Sequence, residues 1–244
     1  MRLTRIAGPA GPVHAIEIEG AWVPCEDPYL AFAEGRHPEP TGEPVTDAVP
    51  LAPCAPTVVV GIAQNGQDAP SPVQAWLKSP RTVVASGTTV PLRRGVGRND
   101  IEGEVAVVVG RPSDGLTAAN AHEYVLGVTA VNDVSNPARA SSDPRNFEGK
   151  GGIAYTPLGP WIETEADLDD VPLHVDIDGV ARARTSSAEL PASIADCLAY
   201  VASWIELGPG DVIMTGAPHS AFAVEPGAHV EITVAGIPLV TTCS

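Results

Sequence analysis

Short apolar runs rich in valine and isoleucine recur along most of the 244-residue chain. They cover residues 57–62, 83–92, 104–109, 125–134, 173–177, 212–215 and 230–234. Runs of this length and composition favour β-strands over helices. Two of them precede the pairs Asp178-Gly179 and Ala235-Gly236, which tolerate the positive φ angles of a two-residue hairpin turn. The pattern therefore predicts a β-dominated α+β fold.

Two segments have the signals of short helices instead. In the later one, Ser193 is a candidate N-cap and Gly208 a candidate stop. Its apolar face repeats at helical intervals and comprises Ile194, Cys197, Leu198, Val201 and Ile205. The earlier helix is predicted from Asp27 as N-cap, Pro28 at the first helical position and Gly35 at the end.

The first part of the chain is organised differently from the rest. Residues 36–56 are a proline-rich acidic stretch without periodicity, which is typical of a linker crossing the surface. We therefore predict that residues 1–53 form a small N-terminal subdomain with its linker, and that residues 54–244 form the main domain.

Charge and composition narrow the possible functions. A formal net charge of −16 would repel a phosphate backbone or an anionic membrane, so we expect neither as a partner. No apolar run approaches the roughly 20 residues that span a bilayer, and residues 1–12 lack the apolar core of a signal peptide. These features predict a cytoplasmic protein. The four cysteines are far apart and form no CxxC pair, so neither a zinc site nor a disulfide framework is indicated.

Three acidic residues stand at the polar ends of predicted strands. Glu102 and Glu104 lie two apart at the start of one strand, so both side chains leave on the same face. Asp133 lies at the tip of another. Adjacent carboxylates are costly to bury unless a cation joins them or one is protonated. Together they would form a hard oxygen-ligand set, suited to Mg²⁺, Mn²⁺ or Ca²⁺ rather than zinc.

Each part of this set also has a plain structural explanation. The two glutamates could be a frayed strand entrance in water, and Asp133 could form an Asx turn after its strand. Other site types find less support. The chain has no G-x-S-x-G motif, and Gly95-Val96-Gly97 precedes a predicted strand instead of the helix of a dinucleotide site.

A series of short motifs, taken in order along the chain, resembles the fumarylacetoacetate hydrolase family. The motifs are Val60-Gly61, Trp76-Leu77-Lys78-Ser79, Glu102-x-Glu104, Asn132-Asp133-Val134, Lys150, Pro157-Leu158-Gly159-Pro160, Pro209-Gly210-Asp211-Val212-Ile213 and Thr215-Gly216-Ala217-Pro218. They span roughly residues 57–242. Any one of them is common, whereas their shared order is specific.

The resemblance implies a fold, a metal and a chemistry. The fold would be a mixed β-roll or β-sandwich with a few short helices, usually as a homodimer. Glu102, Glu104 and Asp133 would bind Mg²⁺ or Mn²⁺. The substrates would be 2-oxo or β-dicarbonyl acids, in which a carbon–carbon bond is hydrolysed, CO₂ is lost or a double bond moves. The metal would act as a Lewis acid on the enolate that these reactions share.

The resemblance also places other residues at the site. Lys150 matches the family's active-site lysine, which would hold developing negative charge; the alternative is a solvated lysine in a Gly-rich loop. The Thr215 hydroxyl and the N–H groups from Gly216 onward would bind a substrate carboxylate, unless they form only a tight turn. Lys78 is expected near the site or in solvent. His219 could reach the substrate or belong to a surface loop.

The chain departs from the family pattern where many members have Asn-Tyr-x-x-His. Gln67 stands where the general-base histidine is expected, and an amide cannot accept a proton near pH 7. Asp68 is a candidate substitute base, or a turn residue. After Asp133, an Arg and a Gln are common in the family, but here Arg139 is the residue that could supply positive charge to a substrate.

These departures leave two functional hypotheses. The first is a metal-dependent enzyme that acts on carbon–carbon bonds through an enolate. Decarboxylation or tautomerisation is favoured over hydrolysis, because those steps need an electron sink more than an activated water. The second is a family member that binds metal and ligand without turnover.

Overall fold

The computed structural model describes residues 1–66, 72–139 and 142–244. The strands are β1 (Arg2–Gly8), β2 (Gly11–Ile18), β3 (Ala21–Pro24), β4 (Val59–Ala63), β5 (Gln74–Lys78), β6 (Val83–Ala85), β7 (Thr89–Val90), β8 (Asn99–Val109), β9 (Val125–Asn132), β10 (Thr156–Leu158), β11 (Ile162–Glu163), β12 (Pro172–Ile177), β13 (Val180–Ser186), β14 (Val212–Met214), β15 (Ala221–Val224), β16 (His229–Val234) and β17 (Ile237–Cys243). The α-helices are α1 (Pro28–Ala33), α2 (Phe147–Lys150) and α3 (Ile194–Ala202). Four single 3₁₀ turns complete the described elements: Pro80–Thr82, Ala121–Tyr124, Pro137–Arg139 and Ser187–Glu189.

The described strands form two mixed sheets. The larger has twelve strands, with the main order β3-β2-β1-β11-β9-β8-β14-β4-β5 and with β6, β10 and β15 attached beside it. The smaller has the order β13-β12-β16-β17-β7. This arrangement confirms the β-dominated fold with a few short helices.

The main core lies between the two sheets. Val105 and Val107 of β8 pack there with Val175 of β12 and Ile232 of β16. Gly103 allows the closest approach, because a Cβ at that position would lie 2.7 Å from a Val175 methyl group. Since side chains alternate along a strand, the neighbours of these β8 residues point to the opposite face of the larger sheet, which is the face that carries Glu102 and Glu104.

Most of the predicted elements are present with small shifts at their ends. Both hairpin turns are formed, and Asp178 and Ala235 adopt φ angles of 53° and 49° ahead of their glycines. The Asp27 carboxylate caps α1 by accepting hydrogen bonds from two backbone N–H groups, and Ser193 caps α3. These predictions are confirmed.

Three predicted boundaries were wrong. The apolar run 83–92 is divided between the two sheets, because Gly87 turns the chain with a φ of 84°. Helix α3 ends at Ala202 instead of continuing towards Gly208, and the Ser203 hydroxyl donates to the Tyr200 carbonyl there. Strand β8 begins at Asn99, so the two glutamates lie within it and not at its start.

The N-terminal strands extend the larger sheet, since β1 pairs with β11. The boundary near residue 53 stays a prediction, as does the homodimer. In the part of the chain that the structure describes, no helix is both long enough and apolar enough to cross a membrane.

Asp211 fixes the point where β14 joins β4. One carboxylate oxygen accepts hydrogen bonds from the Thr57 N–H at 3.0 Å, the Thr57 hydroxyl at 2.9 Å and the Val58 N–H at 2.8 Å. The other accepts from the Gly208 N–H at 2.7 Å. Asp211 is buried, so its carboxylate anchors the parallel pairing that starts at the next residue.

We expect Asp211→Ala to lower the free energy of unfolding by about 3 kcal/mol, because each buried donor left without an acceptor costs about 1–3 kcal/mol. Asp211→Asn should cost less, since its amide oxygen still accepts. Urea denaturation measures both, with Asp169→Ala as control because the Asp169 side chain is 79% exposed. Equal losses for the alanine and asparagine variants would contradict this role.

Candidate functional site

The pairing of β8 with β9 brings three carboxylates onto one face. Gly103 pairs with Asn132 in the antiparallel register, so Glu102 lies opposite Asp133, and the Asp133 N–H donates to the Glu102 carbonyl at 2.9 Å. Glu104 is two residues further along the same face. One carboxylate oxygen from each of these three residues lies within 4.8 Å of the others. We call Glu102, Glu104 and Asp133 the acidic triad.

A change of strand partner makes room in front of the acidic triad. Strand β14 pairs with β8 up to Ala106, and β15 pairs with it again from Glu102. The connection between β14 and β15 therefore leaves the sheet beside Glu104. There the Gly216 N–H donates to the Glu104 carboxylate at 2.7 Å, which fixes the direction of that side chain.

Two lysines compensate the acidic triad. Lys78, the last residue of β5, forms a buried ion pair with Asp133 and donates to the carbonyls of Tyr155 at 2.7 Å and Val134 at 3.3 Å. Lys150, the last residue of α2, donates to Glu102 at 2.7 Å and to the other Asp133 oxygen at 2.5 Å. The structure thus places both predicted lysines at the site.

The pKa values of the three carboxyl groups are shifted in different directions: those of Glu102 and Glu104 are raised, and that of Asp133 is lowered. Burial, with repulsion from Asp133 and Glu102, raises the pKa of Glu104 well above its ordinary value. Burial also raises the pKa of Glu102, against the opposing effect of Lys150. Burial acts in the same direction on Asp133, but Lys150 and Lys78 outweigh it and hold the Asp133 pKa below its ordinary value. The site as a whole has more negative charge than its two ammonium groups neutralise.

The acidic triad could hold a divalent cation. Its donors are all carboxylate oxygens, which are the ligands that Mg²⁺ and Mn²⁺ favour. Glu104 and Asp133 are buried and Glu102 is partly exposed, so the ligands reach the edge of the cleft. A cation here would also relieve the repulsion from Asp133 and Glu102 that adds to burial in raising the pKa of Glu104.

A cleft of about 400 Å³ opens in front of the acidic triad. It is lined by Ile62, Ala63, Gln64, Asn65, Gly66, Gln74, Trp76, Glu102, Glu104, Pro144, Asn146, Lys150, Gly216, Ala217 and Ala221. Neutral amide groups and small apolar side chains form most of its wall, and the charged residues that line it, Glu102, Glu104 and Lys150, lie together.

The expectation for Thr215 and Gly216 needs correction. The Thr215 side chain is buried, and its hydroxyl donates to the Val105 carbonyl at 2.9 Å. The Gly216 N–H is directed at Glu104. In this structure both groups are used inside the protein, where they hold the connection against β8, instead of being presented to a substrate carboxylate.

The other predicted site residues lie at or beyond the rim. Arg139 forms an ion pair with Glu148 and does not line the cleft. His219 is exposed, with a φ of 56°, and is not part of the described cleft wall. Asp68, like Gln67, lies outside the described residues. Their roles in binding or catalysis stay predictions.

Trp76 is a site residue to which the sequence analysis assigned no role. It pairs with Gly61 across β4 and β5, and its ring occupies the space that a side chain at Gly61 would fill. The ring centre lies 5.0 Å from the Lys150 ammonium and 5.9 Å from that of Lys78. The sequence did indicate this position, because Trp76 lies two residues before Lys78 and residues two apart share a face of a strand.

The buried Asn65 was also missed. Its amide group donates to the Thr215 carbonyl at 2.7 Å and to the Ala192 carbonyl at 3.0 Å. It therefore ties the loop after β4 to the connection beside Glu104. No spacing rule in the sequence reveals this contact, because its partners lie more than 100 residues away.

The site thus consists of an acidic triad that could hold a metal ion, with two lysines beside it, on a mixed β fold. The sequence model described as fumarylacetoacetate (FAA) hydrolase C-terminal matches residues 55–243. The chain belongs to the fumarylacetoacetate hydrolase family.

Several proteins are similar to this chain over all or nearly all of its length. A 5-carboxymethyl-2-hydroxymuconate delta-isomerase from Mycobacterium smegmatis is 33% identical, with a TM-score of 0.90 over 100% of this chain and 99% of its own. A 2-hydroxyhepta-2,4-diene-1,7-dioate isomerase from Mycobacterium marinum is 31% identical, with a TM-score of 0.90 over 100% and 98%. Protein Rv2993c of Mycobacterium tuberculosis is 30% identical over 99% of this chain and 97% of its own.

We expect Lys78→Met to lower the free energy of unfolding by about 3 kcal/mol, because it removes one of the two cations that compensate the buried Asp133 carboxylate and leaves only Lys150. Only 1% of the Lys78 side chain and none of that of Asp133 is exposed. The double variant Lys78→Met with Asp133→Asn should recover part of the loss, as measured by urea denaturation. A double variant no more stable than Lys78→Met would contradict the pairing.

Proposed function

We propose that this chain is a divalent-metal-dependent enzyme that acts on a 2-oxo acid through its enolate. The observation that carries the proposal is the acidic triad, with two lysines, at one end of a cleft large enough for a small acid. The reaction we favour moves a proton and a double bond, or releases CO₂, and does not hydrolyse the substrate. The similar structures named as isomerases of 2-hydroxy-diene acids support this choice.

The residues of the site have separate tasks in this proposal. Glu102, Glu104 and Asp133 would hold Mg²⁺ or Mn²⁺, which would supply Lewis-acid polarisation of the substrate oxygens. The Lys150 ammonium stands next to two of these carboxylates and would stabilise negative charge that develops on the substrate. The centre of the Trp76 ring lies 5.0 Å from the Lys150 ammonium, and the ring would keep water from that side. Lys78 would act indirectly, by fixing the orientation of Asp133.

We expect Mg²⁺ to raise the melting temperature, since a ligand at 100 times its Kd that binds only the folded state adds about 2.7 kcal/mol. The chain has two lysines, and both contact Asp133. Protein labelled with ¹³C at the lysine ε-carbons should therefore give two side-chain signals, both of which shift on titration with Mg²⁺.

Glu104→Gln should remove these responses while retaining an oxygen acceptor for the Gly216 N–H. Glu231→Gln, at an exposed position of β16, is the matched control and should respond as the unmodified chain does. Equal responses of the two variants would show that the metal does not bind at the acidic triad.

We expect turnover of at least one of three substrates in the presence of Mg²⁺ or Mn²⁺: oxaloacetate, an acylpyruvate or a 2-hydroxydiene dioate. Enol absorbance and CO₂ release follow the reactions. Lys150→Met should reduce kcat by about 100-fold or more, because it removes a positive charge next to the reacting oxygens. Arg145→Met removes a nearby exposed cation that does not line the cleft, and it should retain activity.

A second candidate is a protein that binds metal and ligand without turnover. Gln67 occupies the place of the expected histidine, and the described part of the cleft wall contains no histidine. In that case oxalate, which mimics an enolate, would bind in a Mg²⁺-dependent way in calorimetry, while none of the three substrates is consumed. That result would count against the enzyme and in favour of the binding protein.

A further inference from the structure

The polarity of the cleft changes along β5. Lys78, Trp76 and Gln74 are spaced two residues apart and share one face of this strand, and successive positions on a face are roughly 7 Å apart. Lys78 is buried against Asp133, the Trp76 ring covers Lys150, and Gln74 is exposed at the cleft wall. The wall thus passes from charged, through aromatic, to a neutral amide with distance from the acidic triad.

Two further amide side chains line the same cleft. Gln64 follows β4 and Asn146 precedes α2, so they come from separate loops. Both have left-handed backbones, with φ angles of 56° and 60°. Glutamine is rare in this region, whereas asparagine adopts it more readily than most residues. Gln64 begins the turn after β4 and Asn146 stands at the N-terminus of α2, so these two loops bring both residues to the cleft wall.

Lysine and arginine are scarce along the described part of the cleft wall. Among the described residues that line it, Lys150 is the only lysine or arginine. Residues 67–71 and 140–141, which lie outside the described part, contain neither in their sequence. Arg139 is paired with Glu148. A carboxylate placed at the far end would therefore meet neutral amides, on a chain whose net charge is −16.

The net charge of the site with a bound metal also favours a substrate with a single carboxylate. Three carboxylates and two ammonium groups leave one negative charge. A divalent cation would turn this into one positive charge, which a single substrate carboxylate would neutralise.

We propose that the far end of the cleft selects a 2-oxo acid that ends in an uncharged hydrogen-bonding group, such as a carboxamide, over one that ends in a second carboxylate. Gln64 and Gln74 make this selection through their amide groups, because the pairing of Ala63 with Gln74 brings them to the same part of the cleft wall. The inference rests on the proposed function for the position of the 2-oxo-acid end at the metal. It would separate this chain in substrate from the Mycobacterium marinum neighbour, which is named for a dioate.

A binding measurement tests the selection without requiring turnover. Two N-substituted oxamates present the same 2-oxo-acid-like end, one with a carboxypropyl tail and the other with the matching carbamoylpropyl tail. We expect calorimetry of the Mg²⁺-loaded protein to give at least about tenfold tighter binding of the carbamoyl compound, because the carboxylate meets no positive partner. Oxalate serves as the tail-free reference.

A charge introduced at the far end should reverse the preference. Gln74→Lys is expected to bind the carboxypropyl compound at least as tightly as the carbamoyl one, whereas oxalate binding stays within about twofold of the unmodified protein. Thr242→Lys adds the same charge at an exposed position of β17 in the other sheet, and it should retain the original preference.

The outcomes separate this inference from the proposed function. If oxalate binds but the two tails bind equally, or the carboxylate binds more tightly, the selection is wrong and the 2-oxo-acid site remains. A preference that Gln74→Lys leaves unchanged overturns the assignment to this wall. If neither oxalate nor either oxamate binds in the presence of Mg²⁺, the proposed function fails, and the inference fails with it.

Discussion

Repulsion between carboxylates is the constraint on which the rest of the site depends. The β8–β9 register places Glu102 opposite Asp133, and the strand period adds Glu104 to the same face. Two like charges about 4 Å apart repel by about 4 kcal/mol at the effective dielectric of a protein surface, and more when buried. The sheet pairing that builds the fold therefore creates a cluster of negative charge that other elements must neutralise.

The elements around the acidic triad supply the groups that compensate its negative charge. Edge strand β5 delivers Lys78, and the one-turn helix α2 delivers Lys150, from opposite sides of Asp133. The gap between β14 and β15 supplies the Gly216 N–H and leaves space for the cleft. Asp211 fixes β14 beside β4, and β4 in turn pairs with β5. A carboxylate remote from the cleft thus helps to position the strand that carries Lys78.

The sequence predicted the parts of this arrangement that follow from local periodicity. Alternation along β8 was enough to place Glu102 and Glu104 on one face, and the end of an apolar run located Asp133. What periodicity could not predict is which strands pair. Without the β14–β15 gap, Gly216 looked like a donor for a substrate, whereas the structure directs it at Glu104. Strand β8 was judged too short for the same reason, because its first residues are extended by pairing with β15.

The scarcity of lysine in the chain was a further indication of the site. Of the fourteen basic residues of the chain, two are lysines, and both contact Asp133. The ammonium group has three N–H donors, whereas guanidinium has five in a fixed plane. Lys78 directs its ammonium group at three acceptors, namely Asp133 and the carbonyls of Val134 and Tyr155. A buried arginine would leave donors without partners there.

Lys150 differs from Lys78 in the number of acceptors it uses. Among the described residues it donates to two, Glu102 and Asp133, and Trp76 covers it on one side. Its third N–H has no acceptor among the described residues, and Lys150 lines the cleft. The two lysines therefore differ: Lys78, with all three donors engaged, holds Asp133 in place, whereas under the proposed function Lys150 would donate to a substrate oxygen that enters the cleft.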